Sequence, residues 1–126
     1  MARPQKKRCI CSIPRVNAFT PQGCEADGTV SLTYDEYEVI RLLDYGQMTQ
    51  EQCAKRMQIS RPTVTRIYDE ARSKMAEMLV RGRALTIGGG DVYVCPAMRP
   101  ECEGEEHCCH RNKELSRGVK MKDKER

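Results

Sequence analysis

The chain has 126 residues, of which 39% are hydrophobic and 32% are charged, so a small soluble protein of about one domain is expected. Its 22 basic and 18 acidic side chains leave a net charge of +4, which does not by itself indicate nucleic-acid binding. With no Trp and one Phe, the core must be built from Leu, Ile, Val, Met and Ala, and a large catalytic cavity is not expected. There is no apolar run of about 18 residues for a membrane span and no apolar signal-peptide core, so a cytoplasmic protein without a membrane partner is predicted.

Residues 1–30 show neither helical nor alternating periodicity, which predicts an extended N-terminal arm. Basic side chains cluster at its start, at Arg3, Lys6, Lys7 and Arg8. On an irregular segment they could follow a phosphate backbone or enter a minor groove. They could equally serve as a solubilising terminus, and the sequence leaves both roles open.

Residues 31–95 carry the start and stop signals of a helical domain. The first helix is predicted over about residues 34–45. Thr33 and Glu36 form a capping box before it, and Gly46 is placed to end it in a left-handed conformation.

Two further helices follow with a short connection between them. The second begins after Thr49, whose capping partner is Gln52, and runs to about Met57. The third begins after the N-cap Ser60 and extends to about Val80. Helices joined by roughly three residues cross at a steep angle, which predicts a helix-turn-helix.

The apolar positions agree with that motif. With Gln50 counted as the first position, the small residue expected at the fifth is Ala54. Its expected buried positions are Cys53, Met57, Ile59, Val64 and Ile67. The ninth position, where Gly commonly adopts a left-handed conformation, is Gln58, at a cost of about 1 kcal/mol.

The opposite face of the third helix carries residues suited to a DNA major groove: Arg61, Thr63, Thr65 and Arg66. Lys55 and Arg56 of the second helix are predicted to contact phosphates, which position a protein on DNA without specifying sequence. The alternative is a three-helix bundle with solvated charges, in which Arg66 pairs with Glu70.

The segment from Met48 to Tyr68, MTQEQCAKRMQISRPTVTRIY, resembles the region-four helix-turn-helix of bacterial sigma factors. Residues 2–93 as a whole resemble a family of small uncharacterised bacterial and archaeal proteins predicted to bind DNA. The matching residues are Arg3-Pro4, Pro14, Phe19-x-Pro21, Leu32-Thr33-x-Asp35-Glu36-x-Glu38-x-Ile40-Arg41-Leu42, Thr49-Gln50-Glu51, Ala84-Leu85-x-Ile87, Gly89-Gly90 and Tyr93. The resemblance implies sigma-region-four-like DNA binding and attaches no enzymatic activity.

After the third helix, two β-prone runs flank a triple glycine within residues 84–95, which predicts a hairpin. From residue 96 to 126 the chain becomes a Cys- and His-bearing charged tail, which is expected to be disordered. The predicted fold class is therefore mainly α: a three-helix helix-turn-helix core with an extended arm, a short hairpin and a Cys-rich tail.

Six soft ligands lie within or just before this tail: Cys95, Cys102, His107, Cys108, Cys109 and His110. They are enough for one tetrahedral Zn²⁺, although their spacing lacks the usual Cys-x2-Cys knuckle. Cys9, Cys11 and Cys24 could form a second site or complete the first across space. Iron–sulfur ligation, redox sensing by exposed thiols and a reduced tail without metal remain open alternatives.

The sequence predicts a sequence-specific double-stranded DNA-binding protein that regulates transcription and is not an enzyme. A single small helix-turn-helix usually binds as a dimer, so a homodimer is expected, and RNA polymerase or another regulator is a further candidate partner. The alternatives are a metal- or redox-responsive protein-interaction module and an RNA-binding protein.

Overall fold

The computed structural model describes residues 7–96. In chain order the elements are β1 (Arg8–Ile10), β2 (Ala18–Phe19), β3 (Thr29–Leu32), α1 (Tyr34–Ile40), a π-helical segment (Arg41–Tyr45), α2 (Gln50–Met57), α3 (Arg61–Arg81), β4 (Ala84–Ile87) and β5 (Val92–Val94). The three predicted helices are present. The described part of the chain is nevertheless mixed α/β, because small strands accompany the helices and the mainly α expectation omitted most of them.

The strands form two small sheets. In the larger one, β4 lies between β3, to which it is parallel, and β2, to which it is antiparallel. The smaller one pairs β1 with β5 in parallel. The predicted hairpin over residues 84–95 is therefore wrong, since β4 and β5 belong to different sheets. The glycine loop between them explains this, because Gly89 accepts a hydrogen bond of 3.0 Å from the amide of Tyr34 and the chain passes over the start of α1.

The described part of the predicted arm is not irregular. It supplies β1, β2 and the start of β3, and each of these strands pairs with β4 or β5 from the far end of the domain. Ile10 is only 1% exposed and belongs to the main hydrophobic core. Strands of two to four residues are too short to show a period of their own, which is why the sequence pattern did not reveal them.

The helix starts follow the predicted caps. Both capping boxes are formed, with Thr33 and Glu36 before α1 and Thr49 and Gln52 before α2. The helical stretch 34–45 is confirmed, but its second part is wound as a π-helix. The expected left-handed end is displaced by one residue. Gly46 has a φ of −83° while its amide donates to the carbonyl of Arg41, and Gln47 takes the positive φ of 60° instead.

Two hydrophobic clusters hold these elements together. The first contains the fully buried side chains of Leu42, Met57 and Val64 and joins α1 with the π-helical segment, α2 and the first half of α3. The second packs Ala71 of α3 against β3 and β4, with Leu85 at the centre of the sheet. Truncating one of the large side chains in the first cluster to Ala costs about 2–5 kcal/mol of folding free energy.

The first turns of α1 also carry three buried carboxylates: Asp35, Glu36 and Glu38. Each is paired, with Arg8 at 3.2 Å, Lys74 at 2.8 Å and Arg41 at 2.8 Å, respectively. Burial by itself lowers the pKa of Arg41, but the hydrogen bonds and charge of Glu38 outweigh this effect and raise it. The Arg8 and Lys74 pairs tie α1 to β1 and α3, and removing one partner of such a pair would leave a buried charge uncompensated.

No helix within residues 7–96 has both the length and the apolar character needed to traverse a lipid bilayer.

Candidate nucleic-acid interface

The segment predicted as a helix-turn-helix comprises α2, the turn at residues 58–60 and α3. Gln58 ends α2 in a left-handed conformation, with φ 58° and ψ 45°, as the sequence required of the residue at that position. The amide of Ile59 then returns to the carbonyl of Ala54 at 3.0 Å, which satisfies one of the last carbonyls of the helix. Ser60 caps α3 by accepting from the amide of Thr63.

Burial fixes which face of α3 points away from the protein. Val64 is 0% and Ile67 is 2% exposed, and both pack into the main core together with Cys53, Ala54 and Met57 of α2. These five predicted core positions are confirmed, and the sixth, Ile59, is partly buried against the same cluster.

Three of the predicted major-groove residues lie on the exposed side of the first two turns of α3. These are Arg61, Thr65 and Arg66. Arg66 makes an ion pair with Glu70 at 3.6 Å, in which both side chains are more than half exposed. Such a pair contributes only about 0–1 kcal/mol, so it leaves the guanidinium available to a stronger partner.

The two threonines of this set are engaged in hydrogen bonds. Thr63 is partly buried, and its hydroxyl lies 2.8 Å from the hydroxyl of Ser60. Thr65 donates to the side-chain carbonyl of Gln50, the first residue of α2. Gln50 was missed as a functional candidate by sequence reasoning. The capping box at Thr49 fixes it at the first helical position, and that signal could have placed it beside α3.

The two basic residues of α2 predicted to contact phosphates differ in their exposure to solvent. Lys55 is exposed. Arg56 is only 4% exposed, and its Nη2 donates to Sγ of Cys11 at 2.7 Å. The prediction that Arg56 contacts phosphate therefore does not fit its burial, and we exclude it from the interface. The cause is β1, which packs on α2 and was not recognised as a strand.

The described basic residues at the start of the arm also differ in exposure. Arg3 and Lys6 lie outside the described residues, and Lys7 is exposed. Arg8 begins β1, and its guanidinium is 3.2 Å from the buried carboxylate of Asp35. Arg8 therefore stabilises the fold, and of the two described residues of the basic cluster, Lys7 and Arg8, it is Lys7 that remains at the surface.

Only some of the cysteines and histidines predicted as metal ligands lie within the described residues. Cys102, His107, Cys108, Cys109 and His110 lie outside residues 7–96. Cys95 is 4% exposed and forms a buried cluster with Cys9 and Cys11. Cys24 lies elsewhere, exposed and near Gly82. Over residues 7–96, no group of three or more His, Cys, Asp or Glu side chains is arranged to hold a metal ion.

Cys53 differs in character from that cluster. It lies on the buried face of α2, with its Sγ 3.7 Å from the sulfur of Met57. Burial, followed by the nearby charge of Glu38, raises the pKa of its thiol to about 12. A thiol that stays protonated in this way is a packing residue and not a metal ligand or nucleophile.

Comparison with known proteins identifies relatives but no solved homologue. Residues 1–95 match the family model described as "Protein of unknown function DUF134". A UPF0251 protein from Desulfitobacterium hafniense (strain Y51) is 46% identical over 104 residues, covering 81% of this chain and 83% of the relative. A UPF0251 protein from Clostridium acetobutylicum is 37% identical over 122 residues, covering 86% of this chain and 85% of the relative.

The similarity reaches beyond bacteria. A UPF0251 protein from Methanothermobacter thermautotrophicus is 41% identical over 102 residues, which span 81% of this chain and 53% of that longer protein. No solved structure matches the chain. The chain belongs to the DUF134/UPF0251 family, a group of uncharacterised proteins spread across bacteria and archaea.

Proposed function

We propose that this protein binds double-stranded DNA sequence-specifically and regulates transcription, with the start of α3 as the reading element. The main observation in support of the proposal is that α3 has one buried face and one exposed basic face at its start. Its first two turns bury Val64 and Ile67 against α2 and expose Arg61, Thr65 and Arg66 on the opposite side. A helix anchored in this way can enter a major groove with its N-terminal side chains on base edges.

The electrostatics of the first turn of α3 favour this proposal over a solvated surface. The turn carries Arg61 and no acidic residue. A positive charge at a helix N-terminus is unfavourable for the helix, since the helix dipole already places positive partial charge there. Helix stability therefore does not account for Arg61, whereas binding of a polyanion does, because the guanidinium then lies in the negative potential of the DNA.

The roles follow from the side-chain chemistry. Arg61 and Arg66 can each donate two hydrogen bonds to guanine O6 and N7. Thr65 and its partner Gln50 present a hydroxyl and an amide at the same place, where they can bond a base edge or a phosphate together. Lys55 neutralises a phosphate without reading sequence.

The proposal also includes binding as a symmetric dimer. One short reading helix contacts few base pairs, so two copies of the chain would bind two half-sites about 34 Å apart.

The test is a comparison of two arginines on the same helix. Arg66→Ala is expected to lower affinity for a selected DNA site by about 1–3 kcal/mol and to relax the base preference at one position. Arg81→Ala is the matched control. Arg81 is also 56% exposed and also ion-paired, to Asp27 at 3.2 Å, but it lies about 22 Å along the helix from Arg66.

Affinities are measured by fluorescence anisotropy at one fixed salt concentration, against the selected duplex, a scrambled duplex and an RNA duplex. Equal losses in the two variants would show that α3 does not read DNA through its first turns. Equal affinity for DNA and RNA duplexes would favour RNA binding, and no saturable binding to any duplex would favour a protein-interaction module.

A further inference from the structure

We propose that the protein dimerises through an apolar groove between β2 and the second half of α3, with a second copy of the chain as the occupant. The groove has a volume of about 350 Å³, and its apolar lining consists of Phe19, Pro21, Met75, Met78, Leu79 and Leu85. The surface is inferred from its own shape and chemistry. Its role, which is to set the spacing of two reading helices, rests on the proposed function.

Large apolar side chains are exposed along this groove. Leu79 is 74% exposed and Phe19, the single phenylalanine of the chain, is 51% exposed. Arg83, the charged residue at the rim, is already paired with Glu77, so its charge is balanced within the chain. Covering side chains of this kind removes apolar surface from water and favours association. The groove is therefore suited to an apolar partner surface.

The residues along this face of α3 have a self-complementary order. Four of them follow one another at intervals of three, four and three residues: Arg72, Met75, Leu79 and Gly82. In an antiparallel pair of helices related by a two-fold axis at the midpoint of this pattern, Met75 of each copy faces Leu79 of the other. An isologous interface requires a patch that fits itself, and this spacing meets the requirement with a second copy of the same chain.

Charge complementarity supports the same arrangement. With the two-fold axis at the midpoint, Arg72 of one copy faces Gly82 of the other, which is the C-cap of α3. The carboxyl end of a helix carries negative partial charge, so a guanidinium is favourable there. Arg72 is exposed, with its guanidinium carbon 5.1 Å from the ring centroid of Tyr68, and Gly82 has no side chain to obstruct it. Parallel pairing would instead place Arg72 against Arg72.

The groove also has the right direction relative to the proposed reading face. At about 3.6 residues per turn, Met75 and Leu79 point roughly a quarter of a turn around α3 from the mean direction of Arg61, Thr65 and Arg66. The two-fold axis of an antiparallel helix pair is perpendicular to the line that joins the helices. Side chains a quarter turn from the contact therefore point along that axis, and they do so to the same side in both copies. One duplex could then meet both reading faces.

The length of α3 agrees with the spacing of two half-sites. The midpoint of the pattern lies about 13 residues, or about 20 Å, along the helix from the middle of the first two turns. Two copies would hold their reading turns at most about 40 Å apart, and inclining each helix by about 30° to their common direction would give the half-site spacing of about 34 Å.

Sedimentation equilibrium of the full-length chain tests the surface without DNA. The chain should change from monomer to dimer as its concentration rises. Leu79→Arg should raise the dimer dissociation constant about tenfold or more, because each copy then places a charge in the apolar contact. Val80→Arg is the matched control, since Val80 is 85% exposed and lies about 100° around the helix from Leu79. Circular dichroism checks that both variants keep their helices.

Two outcomes would overturn the dimer surface. These are a chain that stays monomeric at every concentration and a dimer that Leu79→Arg weakens no more than Val80→Arg does; either result leaves the groove to a different kind of partner.

Duplexes with one and with two half-sites separate this result from the proposed function. Leu79→Arg should lower affinity for the duplex with two half-sites alone, whereas Arg66→Ala should lower affinity for both. If the chain dimerises through Leu79 but binds no duplex, the dimer surface stands and the reading role of α3 fails. If Leu79→Arg and Arg66→Ala lower affinity for both duplexes equally, the reading role stands and the assignment of Leu79 to the dimer contact fails.

Discussion

Replacing Glu38 by Gln should destabilise the fold more than the loss of any other single charge on α1. Glu38 is 1% exposed, and both of its carboxylate oxygens are used. Arg41 donates to them through Nε at 2.8 Å and Nη2 at 3.0 Å, and the amide of Cys11 donates to one of them at 2.9 Å. Gln has nearly the same shape, but one of its terminal atoms is a donor and would face another donor.

The magnitude follows from the geometry. Removing one partner of a buried, hydrogen-bonded ion pair costs about 3–5 kcal/mol, because the other charge stays behind without compensation. Domains of this size are stabilised by about 5–15 kcal/mol in total. Glu38→Gln should therefore remove about a fifth or more of the folding free energy.

Urea unfolding measures this loss, with Glu70→Gln as the matched control. Glu70 is 54% exposed and lies 3.6 Å from Arg66, so its replacement should cost about 0–1 kcal/mol. The midpoint for Glu38→Gln should fall while the slope of free energy against urea stays constant. Equal unfolding free energies for the two variants would refute the view that the Glu38–Arg41 pair holds the domain together.

Three further outcomes are expected. Gly90→Ala should lower stability by about 1–3 kcal/mol in thermal unfolding, since φ is +100° and the new Cβ would lie 3.0 Å from Oδ1 of Asp35, whereas Gly88→Ala should be tolerated. Cys53 should resist alkylation until the chain unfolds, because burial raises its pKa from 9.0 to about 12; the stability tied to this protonated thiol is present below about pH 9 and lost as the pH rises above it. Reaction of Cys53 in the folded protein at neutral pH would contradict this. Lys55→Ala should weaken binding to all DNA sequences alike and reduce the salt slope by about 0.9, and an unchanged slope would remove it from the interface.

The helices could be predicted from the sequence because their signals are local. A capping box such as Thr49 with Gln52 acts over three residues and needs no distant partner, and the structure forms it as expected. The need for a left-handed residue at Gln58 was likewise evident from the motif, and the chain meets it without glycine.

The strands, and with them part of the candidate site, depend on partners remote in sequence. Ile10 and its neighbours become a strand only because Val94 and its neighbours lie beside them. Because the sequence pattern does not predict β1, it also does not indicate that Arg56 is buried against Cys11. The neighbouring Lys55 stays exposed. Helical periodicity gives the face of a residue on its helix, but not what packs on that face.

The pairing of β1 with β5 also has a consequence for synthesis of the protein. These strands lie near opposite ends of the described chain, so β1 leaves the ribosome several seconds before β5 at the usual rate of about 5–20 residues per second. The helices α1, α2 and α3 are complete before β5 emerges and can fold first, since their contacts are local. Cys9 and Cys11 therefore remain uncovered by β5 until that strand has been synthesised, and during that interval their thiols are accessible to oxidants.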